Sequence, residues 1–281
     1  MKTLTLIVGF CMVVVLYTQA QKEEAATPDQ AQFEKAYAYY ENGDFRSAAS
    51  EFRKFMVEYP ESPLVGRAHF NVGYISYRLK DYDLAKMIFE EILTKPYNEQ
   101  DSNDLMEPYT LYKHHTCRQL AEIALEEKDF EAAEEYIELF DKKFPYQHFC
   151  GNEWSAYHMY VAVMRARVYE GTNQPQKAME ELLPHVFSNG LASNERILDQ
   201  LISLLAKNYS KESIREELNR SLASLEVKKT KDEENVTVML YGMKVEVYGY
   251  YAMEKRAKKS ASMEEYYQSV VKGNRLFTTF L

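Results

Sequence analysis

The sequence predicts a mainly α-helical protein, an α-solenoid of antiparallel helix pairs, closed by a small C-terminal segment of different character. Three observations carry this. Gly and Pro are scarce, at ten and eight, beside plentiful Ala, Glu, Leu and Lys, a composition that suits helices. A helix, a two-residue break and a second helix, first seen in Phe33 to Pro60, recur three times downstream. After Glu226 the pattern gives way to β-branched and aromatic residues. At 281 residues the chain is long enough to bury a sizeable core.

Residues 1–20 read as a signal peptide. Lys2 supplies the positive start, Leu4 to Tyr17 the apolar run and Thr18-Gln19-Ala20 the small-residue cleavage site. That run is shorter than the roughly 20 residues a membrane-spanning helix needs. Phe10 stands before Cys11, where a lipidated cysteine would want a small residue, so no lipid anchor is expected. Residues 21–28 form a polar, flexible lead.

In the first helix pair, Phe33, Ala36, Tyr37 and Tyr40 make one apolar stripe. Gly43-Asp44 breaks the helix, and Phe45, Ala48, Ala49, Phe52 and Phe55 form the stripe of the second. The next copy turns at Lys80-Asp81-Tyr82, with Ala85, Phe89 and Ile92 in the same places, and the third at Lys128-Asp129-Phe130, with Ala133, Ile137 and Phe140. A weaker fourth turns at Asn173-Gln174-Pro175, followed by Ala178 and Leu182. The small residue of each copy lets helices approach closely. Two more helical stretches, Glu195 to Lys207 and Ser210 to Glu226, extend the array to 226. Between copies two and three, Tyr97 to Pro108 is longer than such a connection needs, and reads as an insertion or a binding loop.

These features resemble the tetratricopeptide repeat: the Asp-aromatic turn, the small residue three beyond the aromatic, the apolar positions four and seven beyond it, and the closing Pro60 and Pro145. The segment Glu58-Tyr59-Pro60-Glu61-Ser62-Pro63 is similar to exported repeat proteins of the bacterial envelope. The resemblance implies a scaffold or adaptor that binds a protein or peptide in a concave groove lined by the first helix of each pair. On this chain the implied contact positions are Phe33, Tyr37 and Tyr40, then Arg67, Phe70, Tyr74, Tyr77 and Arg78, then His115, Arg118 and Glu122. Phe33, Tyr37 and Tyr40 also lie on the only apolar stripe of their helix and read equally as core. The arginines are the stronger anchors.

Beyond the array, residues 227–235 are a charged linker and residues 236–281 an appendage. Val236, Val238 and Leu240 alternate, as do Met243, Val245 and Val247, which suits a hairpin turning near Gly242. A buried helix through Met239, Met243, Val247 and Tyr250 is the rival reading. Ser262 with Glu265 makes a capping box for a last helix ending near Gly273.

Charge is uneven. Residues 21–226 hold 23 Lys and Arg against 36 Asp and Glu, net −13, and residues 227–281 hold ten against seven, net +3. An acidic body argues against nucleic acid as partner. The cluster Lys255, Arg256, Lys258 and Lys259 reads as a solvated face or as a peripheral contact for anionic lipid headgroups.

Cys117 and Cys150 could close a disulfide or stand as two separate thiols. His114, His115, His148 and His158 fall near them in the chain, but His148-Phe149-Cys150 is not a zinc-binding spacing. No Gly-rich phosphate loop, GxSxG turn or HExxH helix occurs, so no catalytic residue, metal or cofactor is expected. Two alternatives remain beside the scaffold: a metal-dependent or thiol enzyme centred on His148 and Cys150, and a structural subunit assembling through the C-terminal segment.

Overall fold

The computed structural model describes residues 26–97, 111–148, 150–187, 191–229, 234–249 and 262–281. The leader 1–20, most of the lead 21–28, nearly all of the 97–108 loop and the cluster Lys255, Arg256, Lys258 and Lys259 lie outside them. The expected class holds: helices packed in adjacent pairs, with one small antiparallel sheet towards the C-terminus. The chain divides into two compact units, 1–72 and 73–281.

In the first unit, α1 (Pro28–Glu41) and α2 (Phe45–Glu58) pack together, and α3 (Val65–Arg78) begins. Thr27 caps α1 through a capping box with Gln30. Phe33 is 2% exposed and its ring meets Phe52 and Phe55 at 5.3 and 5.6 Å between centroids. Phe33 is therefore core.

The second unit takes α3 onward through α4 (Tyr82–Thr94), α5 (Tyr112–Glu127), α6 (Phe130–Glu138), a π-helical turn (Leu139–Lys143), α7 (Gly151–Gly171), α8 (Pro175–Leu182), α9 (Glu195–Asn208) and α10 (Lys211–Ala223). Helices α5 and α6 pack as a pair, as do α7 and α8, and α4 packs on α5.

One turn recurs four times. Gly43, Lys80, Lys128 and Asn173 adopt φ of 77°, 61°, 62° and 57°, the left-handed conformation that ends a helix. The residue after each donates its N–H five residues back: Asp44 to Tyr39, Asp81 to Ser76, Asp129 to Ala124 and Gln174 to Tyr169. In the first three copies the same Asp then accepts the N–H of Ser47, Leu84 or Ala132 and so starts the next helix. In the fourth, Gln174 makes no such side-chain cap and Pro175 supplies the pre-set φ instead. Ala48, Ala85, Ala133 and Ala178 are all fully buried.

The C-terminal segment resolves in favour of the hairpin. Strands β2 (Glu234–Leu240) and β3 (Met243–Glu246) pair antiparallel with Val238 opposite Val245, joined by Tyr241 and Gly242 at φ of 50° and 81°, the backbone a two-residue hairpin turn requires. Two features correct the expectation. The charged linker at 227–235 contributes an edge strand, β1 (Glu226–Lys229), antiparallel to β2; its pairing uses backbone groups, which charged side chains do not signal. The appendage is not separate either. Val236, Val238, Leu240, Val245 and Val247 share one core with Leu201, Leu205 and Leu218, as do Tyr267 and Val271 of α11 (Met263–Gly273) and Leu276 and Phe277 of α12 (Arg275–Phe280). Ser262 and Glu265 form the expected capping box.

Candidate partner-binding site

Within the second unit, α5 and α7 enclose a cavity of about 370 Å³. Helix α5 contributes His115 and Arg118, three apart, and α7 contributes Glu153, Ala156, Tyr157 and Tyr160. That spacing places the four on one helical face. Tyr146, from the segment joining the third pair to the fourth, completes the wall.

Arg118 is half-buried, with its guanidinium carbon 4.1 Å from the centroid of the Tyr160 ring, close enough for a cation–π attraction. It makes no ion pair among the described residues. The nearest carboxylate along its own helix, Glu122, is already engaged. Tyr160 donates its hydroxyl to Glu122 at 3.1 Å, and Arg167 donates to the other oxygen at 2.6 Å while also reaching Glu126 at 3.3 Å. Burial, first of all, and then the nearby Glu122 push the Tyr160 hydroxyl up to about 12 against the opposing charge of Arg118. Tyr146 is also pushed up to about 12, by burial and then by Glu153. Both phenols are hydrogen-bond donors at neutral pH.

Behind the pocket stands His114, 1% exposed. Its Nδ1 lies 2.8 Å from the Phe144 carbonyl and 3.2 Å from that of Phe140. The π turn explains why the Phe140 oxygen is available: the residue five beyond it is Pro145, which has no N–H to donate. The His114 ring packs on Phe140, Tyr146 and Tyr157 at 5.7, 5.4 and 5.7 Å. Burial, followed by the charges of His115 and Arg118, lowers its pKa to about 3. The neutral ring thus donates from Nδ1 and positions two walls of the pocket, while Nε2 has no hydrogen-bond partner.

Of the positions expected to face a partner, His115 and Arg118 come together here, with Glu122 adjoining. Tyr77 stacks on Tyr82 at 5.9 Å, and burial, first of all, and then the charge of Glu122 raise its pKa. Arg78 lies 6.0 Å over Tyr74, which in turn meets Tyr77 at 6.1 Å. In the first unit, Arg67 covers Phe33 and Tyr37 at 5.4 and 5.8 Å, and Phe70 is half-buried. Tyr146, Glu153, Tyr157 and Tyr160 were not expected. Their spacing puts the last three on one face of α7, but the apolar residues all round that helix do not mark the face as open.

Cys117 and Cys150 are not bridged: Cys117 sits in the core with Ala121 and Phe140, whereas Cys150 precedes α7. His148 lies two residues before Cys150, at the start of α7. Its Nδ1 accepts the Cys150 backbone N–H at 3.1 Å and its carbonyl accepts Trp154 Nε1–H at 2.6 Å, so it fixes the start of α7. Among the described residues, no group of three His, Cys, Asp or Glu is placed to hold a metal ion, and no helix is long and apolar enough to cross a membrane.

The family model described as tetratricopeptide repeat matches residues 33–98, the first two copies. No curated protein and no solved structure matches the chain.

Proposed function

We propose that this tetratricopeptide-repeat protein is a non-enzymatic scaffold that seats a segment of a partner protein between α5 and α7, with an acidic side chain of that segment on Arg118. Tetratricopeptide repeats generally mediate protein–protein interaction. The observation that supports the more specific reading is the state of Arg118: half-buried, without an ion pair among the described residues, and held against Tyr160 at the wall of an aromatic cavity. Arginine and tyrosine are the side chains that most often dominate such contacts, and a guanidinium accepts a carboxylate in fork geometry.

Panning a random peptide library against the full chain tests this. Acidic residues should be enriched, and Arg118→Glu should weaken the selected peptides by about tenfold or more without changing helicity by circular dichroism. Equal binding to Arg118→Glu sinks the proposal. We further propose, from the leader 1–20, that binding takes place in a bacterial envelope. A mature N-terminus at Gln21 supports export, and one at Met1 overturns it.

A further inference from the structure

On the opposite face of α7 the same unit holds a second cavity, of about 540 Å³, within the range of small-molecule sites. Its charged groups are Asp141, Arg165 and Glu181. Arg165 donates from Nη2 to both Asp141, at 2.8 Å, and Glu138, at 2.9 Å. Asp141 also accepts the Tyr157 hydroxyl at 2.8 Å. Glu181 differs from both. It is half-buried, and among the described residues no donor reaches its carboxylate.

Partial burial raises the pKa of Glu181 despite the nearby Arg165. His185 on the cavity wall does not supply a compensating charge, being held below its ordinary pKa by burial and then by His158. Two carboxylates of the wall therefore face one guanidinium, whose Nη2 is shared by Asp141 and Glu138. The rest of the wall includes Met159, Ala162 and Phe187, an apolar bed beside the open acid.

We propose that this cavity binds a small organic cation, an ammonium or guanidinium group on a short aliphatic chain, with its N–H groups on Glu181 and its chain against Met159, Ala162 and Phe187. An anion would meet Glu181 and Asp141 head on. An uncharged apolar ligand would leave the Glu181 carboxylate without a donor.

The chain carries its own reporter. Trp154, its single tryptophan, stacks on His158 at 5.8 Å, and His158 lines the cavity. Pentylamine titrated into the full chain should change Trp154 emission saturably in the millimolar range or below, with calorimetry giving one site. Glu181→Gln should weaken binding by about tenfold or more. Ser155→Phe, which narrows the cavity without touching its charges, should weaken it similarly, whereas Arg118→Glu on the other face should leave it unchanged. The assignment is overturned if pentylamine does not saturate, if Glu181→Gln binds it as well as the parent, or if pentanoate binds as tightly as pentylamine. Because Arg118 takes no part, failure here is distinct from failure of the peptide-binding reading.

Discussion

The two cavities that flank α7 each hold an arginine, and the arginines are in opposite states. Arg165 is forked between Glu138 and Asp141, with a side chain 25% exposed; its charge is spent within the fold. Arg118 rests on a tyrosine ring and makes no ion pair among the described residues. On the Arg165 flank the unspent group is instead an acid, Glu181. The contrast shows that an ionisable side chain marks a recognition site only once its internal partners have been subtracted. Tyr157 ties the flanks together, since its ring lines the aromatic cavity and its hydroxyl bonds Asp141 on the other side.

The sharpest way to break this comparison is to remove each charge in turn. Arg165→Met takes the guanidinium from Glu138, which keeps Lys142, and from Asp141, which keeps only the Tyr157 hydroxyl and is 20% exposed. Losing one partner of a buried pair costs about 3 to 5 kcal/mol, so a partly exposed one should lose about 2 to 3 kcal/mol. Arg118→Met removes no ion pair among the described residues and should change stability by less than about 1 kcal/mol while weakening peptide capture. Urea denaturation of both variants decides it, and equal losses would erase the distinction.

How much of this was legible depends on which interactions leave a trace in side-chain pattern. The repeats did, because a left-handed residue followed by a capping Asp is a requirement of the turn, met afresh at Asp44, Asp81 and Asp129. The β2–β3 hairpin did too, through its alternation of buried residues. Strand β1 did not, since Lys228 and Lys229 pair through backbone, and α12 has only six residues, too few to show a period. Arg118 could be placed from its repeat position alone. Tyr157 and Tyr160 could not: α7 buries Tyr157, Met159, Val161, Ala162 and Met164 around more than one face, so no single stripe says which side is core. Glu181 and Asp141 are brought together only by packing.

Acid should separate the flanks next. His114 backs the aromatic cavity alone, and its folded pKa of about 3 lies far below the ordinary 6.5. With the folded value depressed, its stabilising contribution is complete above 6.5 and is lost as pH falls towards 3, because the unfolded chain takes up the proton first. At about 1.4 kcal/mol per pH unit, about 2 kcal/mol should be gone by pH 5. His114→Gln keeps an N–H donor for the two carbonyls but does not titrate. Its stability should fall by about 2 kcal/mol less than the parent's over that interval. His185, on the acidic flank, contributes with the same sign to both proteins and cancels in the difference. Parallel pH profiles would mean that His114 does not carry the effect.

The smallest effect separates architecture from both flanks. Lys128 ends α5 at φ 62° and ψ 25°, a conformation in which an L side chain crowds its own carbonyl. At the matching position the first copy has Gly43, at φ 77°, which is free of that crowding. Lys128→Gly should therefore relieve local strain, partly offset by the greater freedom of glycine in the unfolded chain, for a net gain of about 0.5 to 1 kcal/mol. Lys128 is exposed and lines neither cavity. The melting temperature should rise while peptide capture and pentylamine binding both stay at parental values. If either binding changed with the turn, the flanks of α7 would not be independent of the helix ends that frame them, and the contrast between Arg118 and Arg165 would have to be redrawn as a property of the whole pair α5 and α6.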